Sequence, residues 1–218
     1  MPALTIATSV SLSANSPRAS LTEATLAAYR LYAAKTIASW ERQRRPSRLL
    51  QAFARLLPAG GRVLDYGCGI GTDLAWLSRR GFRVEGIDGT PDFVREARRR
   101  CPQAQVAQAR FEDAALPPAA YDGIWCQAAL MHVPPEVLVH ELRKLRAALR
   151  PDGLLGLTLA WGRAKRILTR DWIPGRYVAA YAKAEAAALF AEWRLRRLGV
   201  ATHDGRQGRW VHILAHSR

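Results

Sequence analysis

The chain has 218 residues, 49% of them hydrophobic, which is enough for one full α/β domain and too few for two large ones. No stretch approaches the ~18 consecutive apolar residues of a membrane span, and Met1 to Ser20 lacks the charged start and continuous apolar block of a signal peptide. The net charge of +15 admits an RNA partner or an anionic surface. However, Lys35, Lys144, Lys165 and Lys183 are the only lysines among the basic residues, and alanine is abundant. That is a compositional bias a GC-rich genome produces with no anionic partner. Cys68, Cys101 and Cys126 are an odd set without CxxC spacing. They argue against a disulfide framework or a metal site and fit a reducing cytoplasm.

In chain order, the Ser-, Ala- and Thr-rich residues 1–20 have no clear period and read as a flexible tail. Ser20-Leu21-Thr22-Glu23 is a capping-box pattern that starts a helix running to about Trp40. A basic hinge containing Pro46 leads to a short helix, Leu49 to Leu57, stopped by Pro58-Ala59-Gly60-Gly61; residues 21–57 thus form an N-terminal helical cap. Alternation follows: strand Arg62 to Tyr66, helix Thr72 to Arg80, strand Phe82 to Ile87, then a helix to about Arg100 with Thr90 at its N-cap. Ala104 to Ala109 and Gly123 to Cys126 are further strands, Pro135 to Leu149 a helix, and Leu154 to Ala160 a strand after the turn Pro151-Asp152-Gly153. Residues 161–180, with two tryptophans and two glycines, form a long connection of the kind that serves as a lid. A helix from Ala182 to Leu198, a hairpin turn at Gly205 to Gly208 and a strand from Trp210 to Ala215 complete the chain. The alternation predicts a mostly parallel sheet with helices on both faces.

Chemistry concentrates in VLDYGCGIGTD, Val63 to Asp73, between a predicted strand and a predicted helix. Glycine lets the backbone turn sharply and a ligand approach closely, and the amides at the start of the next helix are expected to face that ligand. A dinucleotide fingerprint would read GxGxxG, but Gly67, Gly69 and Gly71 are evenly spaced and the third position of that fingerprint falls on Thr72. Asp65, just ahead of the glycines, would repel a pyrophosphate and attract an ammonium group. Asp88 ends the second strand about 20 residues on, where an acid accepts hydrogen bonds from ribose hydroxyls.

This run resembles the first motif of class I S-adenosylmethionine-dependent methyltransferases. VEGIDGT (Val84 to Thr90) resembles their second-strand motif, YDGIWCQAALMHVP (Tyr121 to Pro134) their fourth strand and following loop, and LRPDGLLGLTLA (Leu149 to Ala160) their turn and fifth strand. The resemblance extends from about Tyr29 to the C-terminus. It implies a single domain over 21–218 with a Rossmann-like, seven-stranded, mostly parallel sheet and an antiparallel C-terminal strand. It also implies S-adenosyl-L-methionine as cofactor and S-adenosyl-L-homocysteine as product. Gly67, Cys68 and Gly69 would approach the methionine portion and Asp65 would steer its amino group. Asp88 would hold the ribose, Gly89 would pass the adenosine, and Gln127 would meet the methionine end. One departure stands out: Arg110 occupies the place where many relatives carry an acid for the adenine amino group, leaving either Glu112 or Asp113, or the Phe111 backbone and ring, to serve.

Methyl transfer from a sulfonium asks mainly for alignment, with a base only where the acceptor must lose a proton. His132, in the loop after the fourth strand, is the candidate base, or else a residue that shapes that loop. Tyr32, Trp161, Arg176, Tyr177 and Tyr181 are candidate substrate-wall residues, and Tyr29 a candidate cover for the cofactor. The acceptor is expected to be a small molecule because no added target-recognition domain accompanies the core. The alternatives are an RNA methyltransferase using the basic surface and a non-catalytic S-adenosylmethionine-binding protein. Nothing in the sequence indicates an oligomeric state.

Overall fold

The computed structural model describes residues 17–42, 46–202 and 208–217. Seven helices are present among them: α1 (Pro17–Leu31), α2 (Ala33–Glu41), α3 (Arg48–Arg55), α4 (Thr72–Ser78), α5 (Pro91–Arg100), α6 (Pro135–Ala148) and α7 (Lys183–Leu189). The strands are β1 (Arg62–Tyr66), β2 (Arg83–Asp88), β3 (Gln105–Gln108), β4 (Tyr121–Gln127), β5 (Leu149–Trp161), β6 (Lys165–Ile167), β7 (Tyr177–Tyr181), β8 (Arg194–Thr202) and β9 (Arg209–His216).

The body of the sheet runs β3-β2-β1-β4-β5-β9-β8. The first five are parallel, and β9 lies antiparallel to both β5 and β8. This is the expected seven-stranded Rossmann-like arrangement with an antiparallel C-terminal strand. A further antiparallel pair, β6 and β7, hangs on the end of β5 and brings the sheet to nine strands. Side-chain alternation explains the two layers. Leu64 and Ile124 point into a core shared with α6, while their neighbours Val63 and Trp125 point into a second core beneath α3, α4 and α5. Phe53 of α3 packs on Trp125 with ring centroids 5.3 Å apart. Among the described residues no helix is long and apolar enough to cross a membrane.

Four local expectations are revised. The single helix to Trp40 is broken at Tyr32 (φ −104°, ψ 19°). In a straight helix Tyr29 and Trp40 would stand ~16 Å apart along the axis, and the break brings their rings within 6.3 Å. The predicted helix from Ala182 to Leu198 stops at Leu189, and its second half is strand β8. β8 gains its place from backbone pairing with β9, a partner the arginine-rich local sequence does not announce. The long connection over 161–180 contains β6, the start of β7 and a fully buried Ile173. Thr90 occupies the N-cap of α5 without a side-chain capping bond, and the Asp88 carboxylate accepts the Thr90 N–H at 2.8 Å and the Thr90 hydroxyl. The predicted tail lies outside the described residues up to position 16, and α1 begins at Pro17. The predicted turn lies outside them at Gly205.

The arginine cluster on α5 is not a free basic face. Arg95 pairs with Asp92, Arg99 and Arg100 pair with Glu96 and reach Glu41 of α2, and Arg98 donates to the Val106 carbonyl.

Candidate active site

The carboxyl ends of β1, β2 and β4 face α1 and α2 across a cavity. Its floor is the glycine turn after β1. Gly67, Gly69 and Gly71 all adopt positive φ (86°, 52° and 76°), the left-handed region that costs a side-chain-bearing residue. The turn's amides are used internally: Gly67 and Cys68 donate to the Ile87 carbonyl (2.8 and 2.9 Å), Gly71 to the Cys68 carbonyl and Gly69 to Asp88 Oδ2 at 2.9 Å. The turn therefore offers a ligand its Cα surface more than its N–H groups, contrary to the sequence-based expectation of amide contacts.

Asp65, Gly67, Cys68, Gly69, Asp88, Gly89, Phe111, Gln127 and His132 all line this cavity. Asp65 is 2% exposed, and its Oδ2 has no hydrogen-bond partner among the described residues. Burial, then the nearby Asp73 and Asp88 carboxylates, push its pKa well above the usual carboxylate range, against a lowering hydrogen bond from the Leu74 backbone. Burial also raises Asp88, offset by the Thr90 and Gly69 amides. Asp73, not singled out from the sequence, also lines the cavity and accepts from Trp125 Nε1 at 2.8 Å. Three carboxylates around one turn make a site for a cation.

The opposite wall forms where β4 ends. Ala128 takes a positive φ of 53° and donates its N–H to Thr158 Oγ1 at 2.8 Å, turning the chain so that Gln127, Ala129 and His132 reach the cavity. Ser47 caps α3 through Leu50 N–H (3.1 Å) and donates to Gln127 Oε1 (3.2 Å), fixing that amide. Phe111 stacks on Tyr66 (4.6 Å), and its carbonyl accepts from Lys144 Nζ and Tyr66 Oη. Lys144 and Tyr66 are themselves tied to the buried Glu141.

The roof is aromatic. Tyr29, Trp40 and Phe93 line the cavity with centroid separations of 5.1 to 6.3 Å. Trp40 and Phe93 were not foreseen, because their convergence depends on the break in the first helix and on α5 packing beside it. Thr22, Thr25 and Leu26 of α1 line the same space and were likewise missed.

Other candidates lie elsewhere. Glu112 does not line the cavity; it accepts from Thr22 Oγ1 at 2.7 Å. Arg110 does line it, while pairing with Asp113. Tyr32 sits at the break between α1 and α2, where its carbonyl accepts the Thr36 hydroxyl. Trp161 is 43% exposed and stacks with Arg209, and Tyr181 is buried beside Lys165. Arg176 and Tyr177 are one step behind the wall. Arg176 Nη1 donates to Tyr29 Oη (3.1 Å), and the Tyr177 carbonyl faces His132 Nδ1 (2.7 Å).

Comparison with known proteins agrees with this geometry. Residues 63–153 match the family described as "Methyltransferase domain". A ubiquinone biosynthesis O-methyltransferase of Xanthomonas axonopodis pv. citri is 36% identical over 118 residues, which are 52% of this chain and 48% of that protein. The chain thus spans about half the length of the curated relatives it matches. The Burkholderia thailandensis 1,6-didemethyltoxoflavin-N1-methyltransferase structure superposes with a TM-score of 0.73 at 17% identity, covering 93% of this chain and 91% of that one. An S-adenosylmethionine-dependent methyltransferase of Methanosarcina mazei gives 0.66 at 20% identity, covering 76% and 96%. At those identities the likeness is one of fold. The glycine turn and strand order on one side, and the family match over residues 63–153 on the other, agree: this segment of the chain is similar to a methyltransferase domain.

Proposed function

We propose that the chain transfers a methyl group from S-adenosyl-L-methionine to a small-molecule acceptor, leaving S-adenosyl-L-homocysteine. The observation that carries this reading is the buried, unpartnered Asp65 oxygen at the floor of the cavity, flanked by Asp73 and Asp88. A buried carboxylate with one oxygen left unpartnered is costly, and an ammonium group relieves that cost. The residues present fit the cofactor. Gly67 has no room for a Cβ, which would meet that of Ala129 at 2.3 Å. The orphaned Thr72 Oγ1 lies in the same cavity as the orphaned Asp65 oxygen. Asp65 would steer the amino group and Asp88 the ribose hydroxyls. Gln127 would bound the methionine end, and the Phe111 ring the adenine, held from behind by Lys144 and Tyr66. When bound, the cofactor supplies an already activated methyl, so the protein's task is alignment and exclusion of water. The roof of Tyr29, Trp40 and Phe93 does both.

The relatives include both an oxygen and a nitrogen methyltransferase, and both are named for small-molecule chemistry. The paired arginines on α5 weaken the case for RNA. Incubating the purified chain with labelled cofactor and a metabolite extract, or with tRNA, tests the reading. Label is expected in small molecules, and transfer only to tRNA would overturn it.

The Asp65 assignment has a thermodynamic signature. The free site holds the Asp65 pKa above its ordinary value, mainly through burial. A bound ammonium lowers it again, so binding of S-adenosylhomocysteine releases protons, and affinity rises with pH until the raised value is passed. In the ligand-free protein the same shift makes ionisation unfavourable to folding, so this group's contribution declines as pH rises from the ordinary carboxylate value through the raised one. Calorimetry in two buffers of different ionisation enthalpy is expected to give different apparent enthalpies. Asp65→Asn is expected to erase that difference and weaken binding about 10-fold. Identical enthalpies for the unsubstituted protein would remove Asp65 from this role.

A further inference from the structure

Granting the methyltransferase reading of this cavity, we propose that Tyr29 Oη takes the acceptor's proton while passing its own to His132, and that the acceptor atom is the oxygen of a neutral phenol or enol. The sequence nominates His132 as base, but its ring does not present a basic nitrogen to the cavity. Nδ1 lies 2.7 Å from the Tyr177 carbonyl, which only accepts, so Nδ1 carries the hydrogen. Nε2, the basic nitrogen of that tautomer, lies 2.9 Å from Tyr29 Oη and is the acceptor of the phenol hydrogen. Basicity reaches the cavity through Tyr29.

A phenol alone is a poor base, and two neighbours change that. Arg176 Nη1 donates to Tyr29 Oη at 3.1 Å, and a guanidinium keeps its charge throughout. It favours negative charge on Oη while His132 receives the proton. Arg176 is 9% exposed and is held by Asp171, with Nε 3.0 Å from that carboxylate. Burying a charged pair is costly, and here the cost places a fixed cation against one phenol oxygen at the cavity wall. Tyr29 cannot swing away: its ring packs edge-on against Phe93 (5.7 Å) and His132 (5.4 Å). Thr25, one turn earlier on α1, accepts the Tyr177 N–H at 2.9 Å, tying α1 to the strand that orients His132.

The step balances. The acceptor O–H bond breaks and its proton joins Tyr29 Oη, as the Tyr29 O–H breaks and its proton joins His132 Nε2. The acceptor oxygen's electron pair forms the new O–CH3 bond, and the pair of the broken C–S bond stays on sulfur. Tyr29 ends neutral and His132 ends as imidazolium, to be deprotonated by solvent once product leaves. Tyr29 would be the catalytic residue; His132 and Arg176 act through it.

Two measurements test this. In the ligand-free protein, 15N NMR of the imidazoles is expected to show His132 as the Nδ1–H tautomer, with the Nε2 signal moving in Tyr29→Phe; an Nε2–H tautomer overturns the relay. Turnover is then measured with catechol and with 4-nitrocatechol, whose nitro group ionises its hydroxyl near neutral pH. Tyr29→Phe is expected to slow methylation of catechol by about 100-fold or more, the usual scale of acid–base catalysis, and of 4-nitrocatechol by only ~3-fold. His132→Gln, which keeps an acceptor for the Tyr29 hydroxyl but cannot hold a second proton, is expected to show the same contrast. Equal losses on both acceptors would make the pair structural and overturn the proposal. If the unsubstituted protein binds S-adenosylhomocysteine yet methylates neither probe, the hydroxyl-acceptor proposal falls alone. If it does not bind S-adenosylhomocysteine, the methyltransferase reading falls.

Discussion

Replacing Asp88 with alanine is expected to weaken S-adenosylhomocysteine binding by at least about 100-fold, equivalent to ~2.7 kcal/mol. Asp88 has two tasks in the structure. Its Oδ2 accepts from the Gly69 N–H at 2.9 Å, locking the glycine turn to the end of β2, and its Oδ1 accepts from the Thr90 N–H at 2.8 Å, capping α5. Both are hydrogen bonds to a carboxylate, of the stronger kind. Their loss leaves two backbone amides unpaired, at roughly 1–3 kcal/mol each, beside a cavity that has also lost the carboxylate proposed to hold the ribose. Asp88→Asn keeps one acceptor oxygen and is expected to lose about 10-fold. Calorimetry gives the affinity and a thermal melt the share due to stability. Unchanged binding in the alanine variant would show that Asp88 does not hold the ribose.

Gly67→Ala is expected to lower the melting temperature on the order of 10 °C, from a loss of roughly 2–5 kcal/mol. Gly67 sits at φ +86°, where a side chain costs about 1–2 kcal/mol. Its Cβ would also lie 2.3 Å from the Ala129 Cβ and 3.3 Å from the Phe111 ring. Overpacking of that kind adds about 1–3 kcal/mol. The contact cannot relax outward, because Ala129 follows Ala128, whose own positive φ is pinned by Thr158. The predicted companion effect is weaker cofactor binding, since the same shift moves both walls of the cavity. Thermal melting with and without S-adenosylhomocysteine checks both.

The parallel core was legible because its signals are local. The predicted strands Arg62 to Tyr66, Phe82 to Ile87 and Gly123 to Cys126 fall within two residues of the bounds of β1, β2 and β4, and the helices between them carry their own starts and stops. The glycine turn and its acids could be read for the same reason: sharp turn, charge and position occur within one segment. What was not legible depends on distant partners. β8 looks helical until β9 is beside it. The roof of the cavity needs Tyr29, Trp40 and Phe93 from three helices, and nothing near Tyr32 marks the break that brings two of them together. The link from Arg176 through Tyr29 to His132 spans residues 147 and 103 positions apart. Sequence reasoning named Arg176 and His132 as separate candidates and had no means of joining them. Arg110 illustrates the reverse case: the departure from the family pattern was visible, and the structure shows its charge engaged by Asp113.

The acids around the glycine turn are expected to select a cationic, ribose-bearing cofactor and to reject a dinucleotide. Calorimetric titration of the purified chain with S-adenosylhomocysteine and, separately, with NAD tests this directly. One site for S-adenosylhomocysteine with a Kd of ~10 μM or tighter is expected, and no measurable heat from NAD. Binding of NAD at equal or greater affinity, or no binding of S-adenosylhomocysteine, would contradict it.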